Sequence, residues 1–138
     1  MIISLDNIAK KGEPGIKILV ERLYKDITLS GDILYAKNFG DFNISEWYKM
    51  RMVVEALGRT KAKSVIPSLT PILHSKCSES FFYEMLLPAV VEALGEIGGV
   101  EVIDHLRKIQ EASDTPKNIR LAVNKALASA SIPIYIHK

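Results

Sequence analysis

The side chains best suited to metal or acid–base chemistry in this sequence are those of its three histidines. His74, His105 and His137 fall in different segments, and only His105 has a carboxylate beside it, that of Asp104. A protein metal site normally needs more than two ligands. We therefore interpret the histidines as surface or helix-end residues and expect no bound metal.

Nucleophilic and phosphate-binding chemistry are also not expected. Cys77 lies between His74 and Glu79 in a connection between predicted helices, but no third group is placed to orient a base. The pair Gly98-Gly99 lacks the lysine and the preceding strand of a phosphate-binding loop. We predict no catalytic residues and no cofactor, so the chain is not expected to be an enzyme.

The composition is typical of a single globular domain. Of the 138 residues 48% are apolar and 25% are charged, with 18 Lys+Arg against 16 Asp+Glu and a formal net charge of +2. This length fits one domain, which we take to span 1–138, and the apolar fraction is too high for disorder. Because there is no leader pattern, no internal disulfide and no apolar run of ~20 residues, we expect a cytoplasmic protein without a membrane span.

An internal repeat organises the chain and would position these residues. The segment Val53-Val54-Glu55-Ala56-Leu57-Gly58 recurs 37 positions later at 90–95, and a degenerate copy at 122–127 follows after another 33. A loose copy lies within 1–25. In each copy a second apolar stretch follows at helical spacing, so each copy predicts two amphipathic helices.

Start and stop signals set the bounds of the predicted helices. Gly58, Gly95 and Gly98-Gly99 follow the first helix of a copy, where a glycine at positive φ can close the last turn. Thr115-Pro116 supplies an N-cap followed by a proline in the first turn. The predicted helices lie near 3–11, 15–27, 44–58, 63–75, 79–96, 100–112 and 116–130.

The segment 26–42 does not fit the repeat and is too apolar for a solvated loop. Two interpretations remain open for it. One is a β-hairpin that turns at Gly31-Asp32, and the other is a short helix over 31–38 capped by Ser30.

The apolar tail 131–138 also departs from the repeat. Its alternating apolar residues favour an extended strand or the start of a further second helix, with Pro133 limiting either. Such a surface at the end of a stack needs a cover. We predict that the tail either caps the stack or forms a homodimer interface, and of these we prefer the dimer; the residues concerned are Ile132, Ile134, Tyr135 and Ile136.

The two clear copies resemble a known repeat family. The run from Ala56-Leu57-Gly58 to Pro67-Ser68-Leu69 resembles the HEAT-like repeats first known from phycobilisome lyases, and 93–106 fits the same frame without a gap. The resemblance covers 44–130 clearly and 1–25 loosely. It implies an all-α fold, a short right-handed α-solenoid of three to four helical hairpins, with the second helices lining a concave surface.

What the resemblance implies for function is docking rather than catalysis. We therefore expect a protein–protein interaction or scaffold module whose protein partner the sequence does not identify. The presumed second helices offer a surface of mixed sign, which suits a protein carrying both charges. We call it the partner surface; its residues are Lys17, Glu21, Lys25, Ser68, Asp104, Arg107, Lys108 and Glu111.

Nucleic-acid binding is the alternative. Turns between first and second helices would collect cations along one edge, the basic ridge, which consists of Lys10, Lys11, Arg59, Lys61 and Lys63. The small net charge, the absence of aromatic residues among these cations, and Glu96 and Glu101 at the third turn favour solvated turn lysines instead.

Overall fold

A computed structural model describes the backbone of the protein over 4–36 and 44–136 and its side chains over 4–35 and 44–130. Within these ranges the chain forms seven α-helices and one two-stranded sheet. The elements are α1 (Leu5–Ala9), α2 (Glu13–Tyr24), β1 (Ile27–Ser30), β2 (Ile33–Ala36), α3 (Ile44–Arg59), α4 (Ile66–Leu73), α5 (Leu87–Ile97), α6 (Val100–Glu111) and α7 (Lys117–Ile136). A 3-10 turn at Lys63–Val65 leads into α4, and a π-helical turn at Phe82–Leu86 leads into α5.

The helices lie in the order that the repeat predicts. The first helices of successive copies, α3, α5 and α7, pack side by side, and α1 packs on α3. The second helices α2, α4 and α6 each pack against the first helix that follows them in the chain. Because α5 has neighbours on both sides, its apolar residues Val90, Val91 and Leu94 are completely buried.

Two glycines have a different role from the one that the sequence suggested. Gly58 and Gly95 lie inside α3 and α5 and have ordinary helical φ, so the prediction that they end these helices is wrong. Each is needed because a neighbouring helix passes too close for a side chain, at Ala93 and at Ala126 respectively. The prediction is confirmed for Gly98-Gly99, which follow α5 with φ of 70° and 100°.

Of the two interpretations left open for the segment 26–42, the β-hairpin is confirmed and the short helix is wrong, so a two-stranded sheet is added to the expected all-α fold; 37–42 lie outside the described residues. In the hairpin Ile27 pairs with Ala36, and Gly31 takes a φ of 61° at the turn. The Leu34 N–H donates to the Lys76 carbonyl at 2.8 Å, and the Lys76 N–H donates to the Asp32 carbonyl at 2.7 Å. The hairpin is thus hydrogen-bonded through its backbone to the connection between α4 and α5. A short helix would use these backbone groups for its own hydrogen bonds and could not form this link.

The tail is helical up to Ile136, since α7 continues without a break from Lys117. The two conformations predicted for it, a strand and the start of a new second helix, are both wrong. The alanine-rich stretch 126–130 has no glycine that would end the helix. The side chains of Ile132, Ile134, Tyr135 and Ile136 lie outside the described residues, so their capping or dimer role stays a prediction.

Over the described ranges, no helix has the length and apolar character required to cross a membrane.

Candidate interaction surfaces

The exposed side of α2 carries a row of charges. Lys17, Glu21 and Lys25 recur every four residues and are exposed, while Leu19 and Leu23 on the opposite side are completely buried. This spacing places one helical turn between successive charges. Two members of the partner surface therefore lie on α2, and the third, Lys25, lies at its C-cap.

A second charged row lies on α6. Asp104, Arg107, Lys108 and Glu111 are exposed, whereas Leu106 is buried. The four charges include both signs. They form the other group of partner-surface residues.

The C-terminal end of α6 is held by a side chain of α7. The Arg120 guanidinium donates to the carbonyls of Gln110 and Ala112, which have no partner within α6. The Gln110 Nε2 also donates a hydrogen bond to the Asn124 Oδ1 at 2.9 Å, which connects the same end of α6 to α7. These hydrogen bonds to α7 hold in place the C-terminal end of α6, the helix that carries the second charged row.

Between these rows lies α4, a helix without a single charged residue. Its outward residues are the exposed Pro67 and Pro71 and the half-buried Ser68 and Thr70. The Tyr24 hydroxyl donates to the Ser68 carbonyl at 2.6 Å, and burial raises the pKa of Tyr24 to about 12. Ser68 is therefore partly covered by α2 and is the least accessible member of the partner surface.

The structure brings together two histidines that the sequence treated as separate. His74 at the end of α4 and His105 on α6 lie with Nε2 and Nδ1 2.8 Å apart, and their ring centroids are 5.1 Å apart. Burial, and then the positive charges of His105 and Lys108, lower the pKa of His74. The repeat gave no signal for this pair, because the two histidines lie 31 residues apart whereas these two copies are offset by 37, so they do not occupy equivalent positions. His137 lies outside the described residues.

A cleft of about 290 Å³ opens beside His74. Lys76 and Asp114 form an exposed ion pair on its wall, with Nζ 3.4 Å from Oδ2. Nearby, the Cys77 N–H donates to the Tyr83 hydroxyl at 3.2 Å, and burial raises the pKa of the Cys77 thiol. This thiol is thus kept in its protonated, poorly nucleophilic form at neutral pH.

The basic ridge is interrupted by acidic groups. Lys10 and Arg59 line a cleft of about 560 Å³ together with Asp6 and Glu13. The Arg59 Nε lies 2.9 Å from the Asp6 carboxylate, and Glu13 accepts a hydrogen bond from the Ser64 hydroxyl at 2.8 Å. One cation of the ridge is thus already paired.

Further along the same edge, Lys63 lines a separate cleft with Glu96. Burial and then Glu92 raise the pKa of Glu96, while Arg59 and Lys61 partly offset this rise. Lys11 and Lys61 are exposed on the same edge. The ridge is therefore a surface of mixed sign, which gives the nucleic-acid alternative no support.

The searched ranges, 4–36 and 44–136, contain no group of three or more His, Cys, Asp or Glu side chains that could hold a metal ion.

Comparison with known families gives one match, to the family model described as PBS lyase HEAT-like repeat. Residues 89–111 match this repeat. The HEAT-like repeat thus takes in most of α5, the turn at Gly98-Gly99 and α6, which confirms the resemblance over this copy. Comparison with curated proteins and with solved structures gives no match.

Proposed function

We propose that the chain is a non-catalytic protein-interaction module, folded as a short right-handed α-solenoid of three to four HEAT-like hairpins. HEAT-like repeats are generally protein-interaction modules. The side-by-side packing of α3, α5 and α7 supports a stacked arrangement, because repeat solenoids bury each unit against its neighbours and leave the outer faces available. In this proposal 1–138 is one cytoplasmic domain.

The observation that carries the proposal is the distribution of charge over the second helices. The uncharged α4 stands between the charged row of α2 and the charged row of α6. Protein interfaces have a core depleted in charge and a polar rim. We propose that Pro67, Thr70 and Pro71 contact the centre of a partner's footprint and that the partner surface supplies its rim.

The signs of the rim residues indicate what the partner presents. Lys17, Lys25, Arg107 and Lys108 would meet acidic groups, and Glu21, Asp104 and Glu111 would meet basic ones. Complementary charges at a rim set register and association rate more than affinity. The expected partner is therefore a protein surface with both charges around a neutral patch, rather than a polyanion.

The test is affinity purification of the full chain from the source cells, with two double charge reversals compared. Lys17→Glu with Arg107→Glu changes one charge in each row, and Glu84→Lys with Glu92→Lys changes two exposed charges on the π turn and α5. Loss of a saturable protein partner only in the first variant supports the proposal. Equal retention or equal loss in both variants contradicts it.

The homodimer is a separate part of the proposal. It predicts that light scattering on the purified chain gives twice the monomer mass, and that Ile134→Lys with Ile136→Lys gives the monomer. A monomer at every concentration tested contradicts the dimer and leaves capping as the role of the tail.

A further inference from the structure

We propose that the cleft of about 290 Å³ beside His74 binds a small carboxylate whose body is apolar. The cleft lies where the ends of α4 and α6 meet the beginnings of α5 and α7. Of the residues that line it, only Lys108 also belongs to the partner surface. The proposal therefore does not rest on the proposed function.

The inner wall of the cleft is apolar. Leu73, Leu87 and Ile119 line it and are buried, and the half-buried Ile109 lies beside them. An apolar ligand body that covers this wall would remove hydrocarbon surface from water on both partners. The volume lies at the lower end of the range of about 300–1,000 Å³ that is usual for small-molecule sites, so a single ring or a short hydrocarbon chain fits.

A π-helical turn places an aromatic side chain in the same wall. Tyr83 of this turn lines the cleft, and its carbonyl accepts a hydrogen bond from the Asn118 side chain at 3.0 Å. Its hydroxyl accepts a hydrogen bond from the Cys77 N–H at 3.2 Å. Tyr83 is thus held at both its backbone and its hydroxyl, and departures from α-helical geometry of this kind are frequent at functional sites.

The outer rim of the cleft is cationic. Lys76 and Lys108 line it together with a single carboxylate, that of Asp114. Two ammonium groups against one carboxylate leave one positive charge in excess. A monoanion balances this charge, whereas a phosphate dianion exceeds it, so a carboxylate is the better match.

Lys108 supplies the ammonium group that is ready to bind an added anion. Lys76 is paired with Asp114, with Nζ 3.4 Å from Oδ2, whereas Lys108 forms no ion pair with any carboxylate in the described part of the chain. Such an ammonium group at the mouth of an apolar cleft can donate charge-assisted hydrogen bonds to a carboxylate oxygen. Asp114 competes with the ligand for Lys76, so loss of the Asp114 charge should free a second ammonium group.

The backbone on both sides of the cleft is held in place. Lys76 is fixed by the hairpin, because its carbonyl accepts from the Leu34 N–H and its N–H donates to the Asp32 carbonyl. On the other side, the Thr115 hydroxyl donates to the Ile109 carbonyl at 2.7 Å. A cleft that is already formed loses little conformational entropy when a ligand enters.

The experiment is an NMR titration of the isotope-labelled full chain with phenylacetate, at low salt and about pH 7.5, where a free histidine is mostly neutral. Phenylacetamide is the matched neutral probe, and inorganic phosphate is an anionic head group without an apolar body. We expect saturable shifts of the backbone N–H groups of Lys76, Tyr83 and Ile109 with phenylacetate, with a Kd of about 1 mM or lower. The amide and phosphate should each bind at least about tenfold more weakly.

Charge variants should change the affinity for phenylacetate in opposite directions. Lys108→Gln should weaken binding severalfold, because it removes the available ammonium group, and Asp114→Asn should strengthen it severalfold, because it frees Lys76. Lys125→Gln and Glu101→Gln make the same changes in net charge at exposed positions outside the cleft, so both should match the unaltered chain.

A steric variant tests the location of the probe. Ala112 lines the cleft, and Ala112→Leu should abolish binding while every charge stays in place. The spectrum of each variant without ligand checks that it is folded. The proposal is overturned by shifts that do not saturate up to about 10 mM phenylacetate, by equal affinity for phenylacetamide or phosphate, or by unchanged affinity in Lys108→Gln or in Ala112→Leu.

Discussion

Gly58 approaches Ala93 so closely that a Cβ added to Gly58 would lie 2.7 Å from the Cβ of Ala93 and 2.8 Å from its Cα. The next pair of first helices repeats this relationship, since a Cβ on Gly95 would lie 2.9 Å from the Cβ of Ala126. In each case a glycine near the end of one first helix meets an alanine of the following one. This glycine–alanine contact sets how tightly α3, α5 and α7 stack.

Gly58→Ala tests this contact. In an open helix the change would stabilise the protein, because alanine favours a helix by about 0.5–1 kcal/mol over glycine. Here we expect a loss of about 1–3 kcal/mol in the free energy of unfolding, because the added methyl overpacks the crossing. Urea unfolding at neutral pH measures the change.

The control for Gly58→Ala is the double variant with Ala93→Gly. It removes the nearer of the two clashing atoms but not the Ala93 Cα, so the double variant should be partly rescued relative to the sum of the two single changes. Strict additivity would contradict a direct contact between the two residues.

The role of these glycines depends on contacts between helices, which local sequence patterns do not predict. Ala-Leu-Gly followed by a turn has the pattern of a helix stop, and such local cues located all seven helices. What holds Gly58 inside its helix is Ala93, a residue of the next copy whose approach no local pattern reveals. The repeat itself contained the missing information, because it predicts that equivalent helices stack.

The hairpin and the histidine pair have the same explanation. The residue types around Gly31-Asp32 are compatible with a helix or with a hairpin. The backbone hydrogen bonds to Lys76, a residue far along the chain, favour the hairpin. His74 and His105 became a pair only through the packing of adjacent copies. Helix content and periodicity follow from local residue types, whereas pairings between copies depend on tertiary contacts.

The backbone of Lys61 is predicted to be strained, as a comparison with the equivalent turn of the following copy shows. Its φ is 55°, in the left-handed region that is unfavourable for a residue with a Cβ, and the copy that follows places Gly98 with a φ of 70° at the matching position. Lys61→Gly should raise the free energy of unfolding by about 0.5–1 kcal/mol, because it removes this strain.

The matched control is Lys63→Gly. Lys63 lies in the 3-10 turn and its φ is not positive, so the glycine should lower the free energy of unfolding by about 0.5–1 kcal/mol. Thermal unfolding of both variants shows the sign. Destabilisation by Lys61→Gly comparable to that by Lys63→Gly would contradict strain at Lys61.

Two adjacent residues of β2 test whether the hairpin is part of the core. Leu34 is 1% exposed and Tyr35 is 54% exposed, because successive side chains of a strand point to opposite faces. Leu34→Ala should cost about 2–5 kcal/mol of stability, whereas Tyr35→Ala should cost less than about 1 kcal/mol. Chemical denaturation of the two variants makes the comparison, and equal effects would mean that the hairpin is not docked in solution.

Tyr24 gives the fold a dependence on alkaline pH. Its pKa is raised from the ordinary 10.0 to about 12, so between these values the unfolded chain loses the phenolic proton while the folded chain keeps it. This contribution to stability is intact below pH 10.0 and is lost as the pH rises towards about 12. The unaltered chain should therefore weaken in this interval through Tyr24.

The comparison variant is Tyr24→Phe. Near neutral pH it should be less stable by about 1 kcal/mol, because the hydrogen bond to the Ser68 carbonyl is lost. Denaturant unfolding at a series of pH values should show this difference shrinking above pH 10.0, where the tyrosine titrates. A constant difference over the whole series would show that Tyr24 keeps an ordinary pKa.

The central claim, that a partner covers α4 with the charged rows of α2 and α6 around it, is tested most directly by site-specific photo-crosslinking. A photoreactive side chain is placed at Thr70 on α4, at Arg107 on α6 or, as the control, at the exposed Glu84 before α5, and the chain is irradiated with its purified partner. We predict crosslinks from Thr70 and Arg107 and none from Glu84. Crosslinks from Glu84 alone would contradict the account.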